Sequence, residues 1–463
     1  MRTLIKNGTC VTASETFAAD LWIENGKIAA LTAPGTDLGK ADQVFDAKGK
    51  YVIPGGIDAH THLDMPFGGT SSIDDFDSGT LAAAFGGTTS IVDFAIQKKG
   101  GAFREALDTW HAKAEGRAHV DYAFHMIASD INPESLAEMA QVVKEGVTSF
   151  KMFMAYPGVF LVDDQSIFKA MLRAGELGAL VAMHAETGLP IDILVERAVK
   201  QGHTAPIYHA LTRPEVAEAT GTDRALALAE MAKVPVYLVH LSAQRALERV
   251  RESRDRGLPA YAETCPQYLF LSEDDLRGRP GDEFEGAKYV CTPPLRPKHH
   301  HEHLWRGLKN HDLEVVSTDH CPFCMKGQKE LGRNDFSKIP NGMPGIETRL
   351  HLMYEGVREG RISLNRFVEI TSTAPAKIFG LYPRKGTLAV GADADVVIWD
   401  PEKRFKLSLE NLHMKADYAA YPDKTVTGAP EKVFSRGELV VDGAKYLGKK
   451  GRGQFVRRST FSL

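Results

Sequence analysis

Eight short apolar runs, separated by stretches of helical period, constrain this chain more than any other feature. They read GIDAHTH (56–62), TSIVDFA (89–95), DYAFHMI (121–127), VTSFKMF (147–153), ALVAMHA (179–185), VPVYLVH (234–240), PAYAETC (259–265) and LEVVSTD (313–319). Runs of this length with little alternation match strands covered on both faces, as in a parallel sheet. Helical patterns, such as 164–178 and 222–234, lie between several of them. Parallel neighbours need crossover connections, and helices supply them. Eight such units predict an α/β protein with a (β/α)8 TIM-like barrel over residues 55–377, within the size range such barrels reach.

The flanks have another rhythm. TLIKNGTCVTA and ADLWIENGKIAALT each alternate about Asn-Gly, a strong hairpin signal, and the pattern returns in GTLAVGADADVVIWD and VFSRGELVVDG. Residues 1–54 and 378–445 therefore predict one β-sandwich domain built from two separated segments, with 446–463 as a basic tail. A net charge of −4 gives no basis for a nucleic-acid or anionic-membrane partner. No apolar stretch nears the roughly 18 residues of a membrane span. Five cysteines are too few for a disulfide framework, which favours the cytoplasm. Cys321 and Cys324 have no second pair nearby and are expected to be non-ligating thiols. The histidine-dense KHHHEH (298–303) is expected to be the exposed start of a helix.

Such a barrel carries its chemistry at the C-terminal ends of its strands. Those positions hold His60, His62, Lys151, His184, His240 and Asp319; Asp93, His125 and Glu263 converge less obviously. His60 and His62, two apart, share a face of their strand. With His184, His240 and Asp319 they form a metal-ligand set. Four histidines and an aspartate overfill one zinc that must keep a water position open. Two ions about 3.5–4 Å apart need a bridging group, and no Asp or Glu offers itself clearly at that height. Lys151 leaves two readings: a buried ion pair with Asp319 or Glu263, or a carbamate made from its neutral amine and carbon dioxide.

The segments PGGIDAHTHLDMPFGG, SFKMFMAY, MHAE, YLVHLS, ETCPQYL, TPPLR, STDHCPF, GQKELGRNDFSKIPNG and GTLAVGADADVVIWDP resemble the dihydropyrimidinase/hydantoinase branch of the cyclic amidohydrolases, over essentially the whole chain. The resemblance implies two divalent ions, zinc, bridged by Lys151 as N6-carboxylysine, with carbon dioxide as the source of the carbamate. His60, His62, Lys151 and Asp319 would hold one ion, and Lys151, His184 and His240 the other. A hydroxide would bridge them, with Asp319 as general base and acid. Tyr156 would bind the substrate and its oxyanion, and the backbones of Thr292 and Asn341 the ring. Many relatives carry serine at the position of Thr292. Met65, Phe67, Phe153 and Phe160 would wall the pocket for the exocyclic group. The implied substrates are small cyclic ureides, either 5,6-dihydropyrimidines or 5-monosubstituted hydantoins, opened to N-carbamoyl amino acids. The tail would contact a neighbouring subunit of a homotetramer. Allantoinase is the alternative, disfavoured by the residues after His62 and by KMFMAY. Dihydroorotase would place an arginine soon after His62, where Leu63-Asp64-Met65-Pro66 stand. A non-catalytic scaffold of this fold would have lost ligand positions, and all six are present.

Overall fold

In the computed structural model, which describes residues 2–422 and 424–461, the eight apolar runs form one parallel eight-stranded sheet. Its strands, in sequence and in space, are Gly56–Thr61, Thr88–Ile96, Asp121–Ile127, Ser149–Phe153, Leu180–His184, Val236–Leu238, Ala260–Thr264 and Val315–Val316. Every residue of the third, fourth and fifth strands is buried. That is why the runs lack alternation: one face meets the helices and the other the barrel interior.

The ring closes between its first and last strands. Thr61 bridges His320 in parallel, and the His62 amide donates to the His320 carbonyl at 2.8 Å. Beneath this seam lies the fully buried Arg349. Its Nη1 donates to the carbonyls of Ile57 (2.9 Å), Val316 (2.9 Å) and Thr371 (3.3 Å), and its Nη2 to Thr88 Oγ1 (3.1 Å). One guanidinium thus ties the first, second and last strands together.

The helices follow their sequence cues, with one extension. Asp164–Leu177 starts where the Asp163 carboxylate accepts the Ser166 amide, and it buries Ile167, Ala170, Met171 and Ala174 on one stripe. The helix expected from residue 222 begins earlier, as Glu215–Ala232. Gly221 is a close-approach point: a Cβ there would lie 2.5 Å from the Ala185 carbonyl oxygen.

The two flanking segments meet in a single nine-stranded sheet. Strand Tyr51–Pro54 pairs antiparallel with residues 396–399 of strand Val396–Lys406. The strands are hydrogen-bonded into one sheet rather than two. It folds over a core that includes Ile5, Leu21, Ile28, Val396 and Ile398, and it brings the Phe45 and Phe434 rings to 5.1 Å. Asn25-Gly26 makes the expected hairpin, with Gly26 at φ 77°. Asn7-Gly8 does not. It is a bulge inside strand Arg2–Val11, because Asp20 accepts the Asn7 amide (2.8 Å) and Asp46 its side chain (3.0 Å).

KHHHEH does open a helix, His299–Lys309, with His299 and Glu302 exposed. His300, however, is buried and its Nδ1 accepts the Gln244 amide at 3.0 Å. Beyond Tyr446 the chain runs back over its own barrel: Tyr122 donates to the Gln454 carbonyl (3.0 Å), Val456 to that of Tyr122 (2.7 Å), and Phe461 to that of Gly178 (2.8 Å). Of the segments read above, Met1, Asp423, Ser462 and Leu463 lie outside the described residues. All five cysteines are free thiols, and among the described residues no helix is long and apolar enough to cross a membrane.

Replacing Arg349 by leucine leaves three carbonyls at the seam without their donor. Each unmet buried carbonyl costs about 1–3 kcal/mol, so Arg349→Leu is expected to lower the thermal midpoint by several degrees at a fixed scan rate. An unchanged midpoint would mean the seam is held by other contacts.

Candidate active site

All thirteen residues singled out from the sequence lie in one place, at the C-terminal ends of the barrel strands. His62, Met65, Phe67, Lys151, Phe153, Tyr156, Phe160, His184, His240, Thr292, Asp319 and Asn341 line one pocket. His60 lies directly beneath, with its Nε2 3.2 Å from His62 Nε2 and 2.8 Å from Lys151 Nζ. Asp319 Oδ1 is 3.2 Å from His60 Nε2 and 3.3 Å from His62 Nε2. A second group faces it, in which His184 Nδ1 is 3.0 Å from His240 Nε2.

Carboxylates behind the rings fix which nitrogen points inward. Glu263 accepts from His60 Nδ1, and Glu186 from His184 Nε2 at 2.9 Å. Each bond places the ring proton outward and leaves a lone pair on the nitrogen facing the centre. His60 Nε2 and His184 Nδ1 therefore each offer a lone pair towards the centre, 3.2 Å from His62 Nε2 and 3.0 Å from His240 Nε2. His60, His62 and Asp319 have ligand atoms within 4.8 Å of one another, so the donor set fits a divalent cation. Glu263 is fully engaged behind the rings, whereas Glu186 holds His184 through Oε2 and keeps a buried Oε1 with no hydrogen-bond partner among the described residues.

Lys151 lines the same pocket and makes no direct ion pair among the described residues, although the charges of Asp319 and Glu263 act on it from further off. Its Nζ lies over the rings of Phe94 (4.4 Å) and Phe153 (4.9 Å). Burial lowers its pKa, disfavouring the ammonium form, and raises that of Glu263. Burial alone would also raise the Asp319 carboxyl, but the His60 and His62 rings hold it at about 2. Burial pushes the Tyr156 phenol up, so it remains a hydrogen-bond donor.

Tyr156, His240 and Asp319 have φ of 61°, 39° and 51°, a region that costs non-glycine residues about 1–3 kcal/mol each. The surroundings compensate. The Tyr156 carbonyl accepts the amides of Val159, Phe160 and Leu161 at 3.0–3.1 Å. Glu263 accepts the His240 amide at 3.1 Å. Asp58 accepts both the amide (3.1 Å) and the hydroxyl (2.6 Å) of Thr318, just before Asp319.

Several residues at the site escape the sequence. Cys321 and Gly342 share the pocket lining. Glu263 and Glu186 support the ligands; the two-residue step from His184 to Glu186 was the available signal. Asp93 and His125 serve the strand scaffold instead. Asp93 accepts from Thr61, the Leu63 amide and Trp110, and His125 bonds Ser149 and the Ala59 carbonyl. The fully buried Lys329, inside GQKELGRNDFSKIPNG, donates to the carbonyls of Val290 (3.0 Å) and Gly342 (2.8 Å). It thereby joins the loop of Thr292 to that of Asn341. His209 Nε2 also lies 3.0 Å from Thr292 Oγ1.

Residues 51–440 match the profile of the Amidohydrolase family. The chain is 56% identical over 462 residues to a D-hydantoinase of Streptomyces coelicolor, covering 99% of this chain and 98% of that protein. It is 53% identical over 464 residues to a D-hydantoinase of Geobacillus stearothermophilus, covering 100% and 97%. The crystal structure of a dihydropyrimidinase from Brevibacillus agri NCHU1002 superposes with a TM-score of 0.98 at 52% identity, with both chains fully covered.

Glu263→Gln keeps the shape but presents an amide to His60 Nδ1. Loss of such a supporting carboxylate typically costs 10–100-fold in metal affinity. Competition with a chelator is expected to show a drop of about that size. Wild-type retention would remove Glu263 from the site.

Proposed function

The chain belongs to the amidohydrolase family, and from that premise we propose that it hydrolyses the ring amide of cyclic ureides, 5,6-dihydropyrimidines and 5-monosubstituted hydantoins, to N-carbamoyl amino acids. The observation that carries this is a ligand set with a buried, unpaired lysine at its centre. His60, His62, Lys151 and Asp319 would hold one divalent ion, and Lys151, His184 and His240 a second. Zinc fits the nitrogen-rich donors. Such ions lower the pKa of the water they bind towards 7 and polarise a carbonyl.

Lys151 acts as a carbamate formed with carbon dioxide, since the carboxylates nearby are engaged behind the rings or on the His60 side. Asp319 takes the proton of the attacking water and passes it to the leaving ring nitrogen. Its depressed pKa keeps it ionised beforehand. The Tyr156 phenol donates to the carbonyl oxygen as negative charge develops there. The backbones of Thr292 and Asn341 orient the ring, held by the Lys329 clamp. Met65, Phe67, Phe153 and Phe160 enclose the exocyclic group; the Phe153 and Phe160 rings stack at 5.0 Å. The names of the relatives favour the D-enantiomer of 5-substituted hydantoins.

The unit at work is a cytoplasmic homotetramer. Each barrel, 55–377, carries a side domain of residues 1–54 and 378–445. The tail, 446–463, meets a neighbour through the side turned away from its own barrel.

Initial rates on dihydrouracil, 5-substituted hydantoins, allantoin and dihydroorotate, with metal content measured alongside, are expected to favour the first two. Lys151→Ala is expected to lose metal and to slow turnover more than the hundredfold typical of a residue that only supports a ligand. Added short carboxylic acids should restore part of it. Full zinc and full activity in Lys151→Ala, without such acids, would overturn the carbamate.

A further inference from the structure

The pocket has a vestibule, and one cation in it is unexplained by the hydrolytic reading. Phe67, Tyr156 and Asn341 line both the inner pocket and an adjoining outer cavity of about 590 Å³. A substituent leaving the inner pocket between these residues enters the outer cavity. Three charged residues line that space: Asp192, Arg213 and Lys338. Lys338 is engaged by Asp335 at 3.3 Å.

Arg213 forms no ion pair among the described residues. Its side chain makes two hydrogen bonds, both through Nη1, to the His209 carbonyl (3.2 Å) and Thr212 Oγ1 (3.4 Å). These cap the short helix Tyr208–Leu211 and use one corner of a fork that carries five donors. Nε and Nη2 are uncommitted. Arg296, itself paired with buried Glu218 at 2.8 Å, donates to the Arg213 carbonyl. Backbone and guanidinium are therefore both anchored. A helix-capping arginine ordinarily trails its free fork into water, whereas this one is half-buried in the wall of a cavity. Burial lowers its pKa from the usual value, against the pull of the Glu186 carboxylate, with which it forms no direct ion pair. A half-buried, unpaired, pre-positioned guanidinium is built to take a planar anion. Two carboxylates oppose this: Glu186, whose Oε2 is engaged by His184 Nε2 at 2.9 Å, and Asp192, whose side chain is exposed and whose field is screened by solvent and salt.

We propose that Arg213 forms an outer subsite that recognises a carboxylate at the far end of the substrate's exocyclic substituent. The enzyme then prefers hydantoins with acidic side groups over neutral ones of equal shape. This rests on the hydantoin reading above.

The test compares kcat/KM for 5-(4-carboxyphenyl)hydantoin with that for its neutral isostere, 5-(4-carbamoylphenyl)hydantoin. The wild-type ratio of acid to amide is expected to exceed one and to fall as salt is raised. A hydrogen bond to a charged group is worth about 1.5–3 kcal/mol, so Arg213→Gln should cut the ratio by about tenfold or more, chiefly through KM. Arg213→Lys, which keeps the charge, should retain part of it. A wild-type ratio of one or below, which needs no variant to measure, would overturn the subsite, as would an Arg213→Gln ratio equal to wild type. If the metal-loaded enzyme hydrolyses neither compound, the hydantoin reading falls and the subsite with it; hydrolysis of the amide at an unshifted ratio removes the subsite alone.

Discussion

One buried carboxylate, that of Glu263, holds the centre of this protein together. It accepts from His60 Nδ1 on the first barrel strand, from the Tyr237 hydroxyl (2.9 Å) on the sixth, and from the His240 amide (3.1 Å) just beyond it. Removing a carboxylate from water costs several kcal/mol unless its lone pairs are met, and here three donors from two other strands meet them. The same bonds set the tautomer of His60 and the backbone of His240. Without Glu263, His60 could turn its proton inward and His240 would lose support for its left-handed φ. The geometry of the site is thus a property of the assembled barrel, not of any single loop.

The polar and apolar halves of the pocket are built differently. Most of its aromatic wall comes from short-range sequence: Phe153, Tyr156 and Phe160 lie within one stretch, their rings meet at 5.0–6.2 Å, and only Phe67 joins them from a distant loop. Its backbone donors and acceptors come from loops far apart in sequence, tied by a lysine that touches no acid. A buried lysine answered only by carbonyls is costly to keep charged, and burial lowers its pKa to about 7. The tie fixes the spacing of the Thr292 and Asn341 backbones.

Much of this was legible in the sequence, for physical reasons. The strands were readable because parallel strands are covered on both faces. The candidate site was readable because barrel chemistry gathers at strand ends, where His60, His62, Lys151, His184, His240 and Asp319 stand. What stayed hidden depends on partners remote in sequence. Asn7-Gly8 has the letters of a hairpin, yet Asp20 and Asp46 hold it as a bulge. His300 sits in a polar run but turns inward to Gln244. Lys329 and Arg213 look like ordinary surface cations until the folded chain places one between two loops and the other in a cavity wall. The helix Glu215–Ala232 was legible only from residue 222, because the Ala185 backbone that Gly221 accommodates belongs to another element.

The join between the flanking segments bears on how the chain is made. Tyr51 pairs with Trp399, and Val52 with Ile398. The barrel floor is lined late, by Arg458 reaching the Phe124 carbonyl and Ser149 Oγ. A ribosome releases the early strands long before these partners exist. Until then the strand Tyr51–Pro54 presents a bare edge, and the first barrel strand lacks its closing neighbour. Contacts of such sequence separation carry a large loop-closure entropy and form slowly. The nascent chain therefore waits, partly folded and with strand edges open, until its last segments arrive.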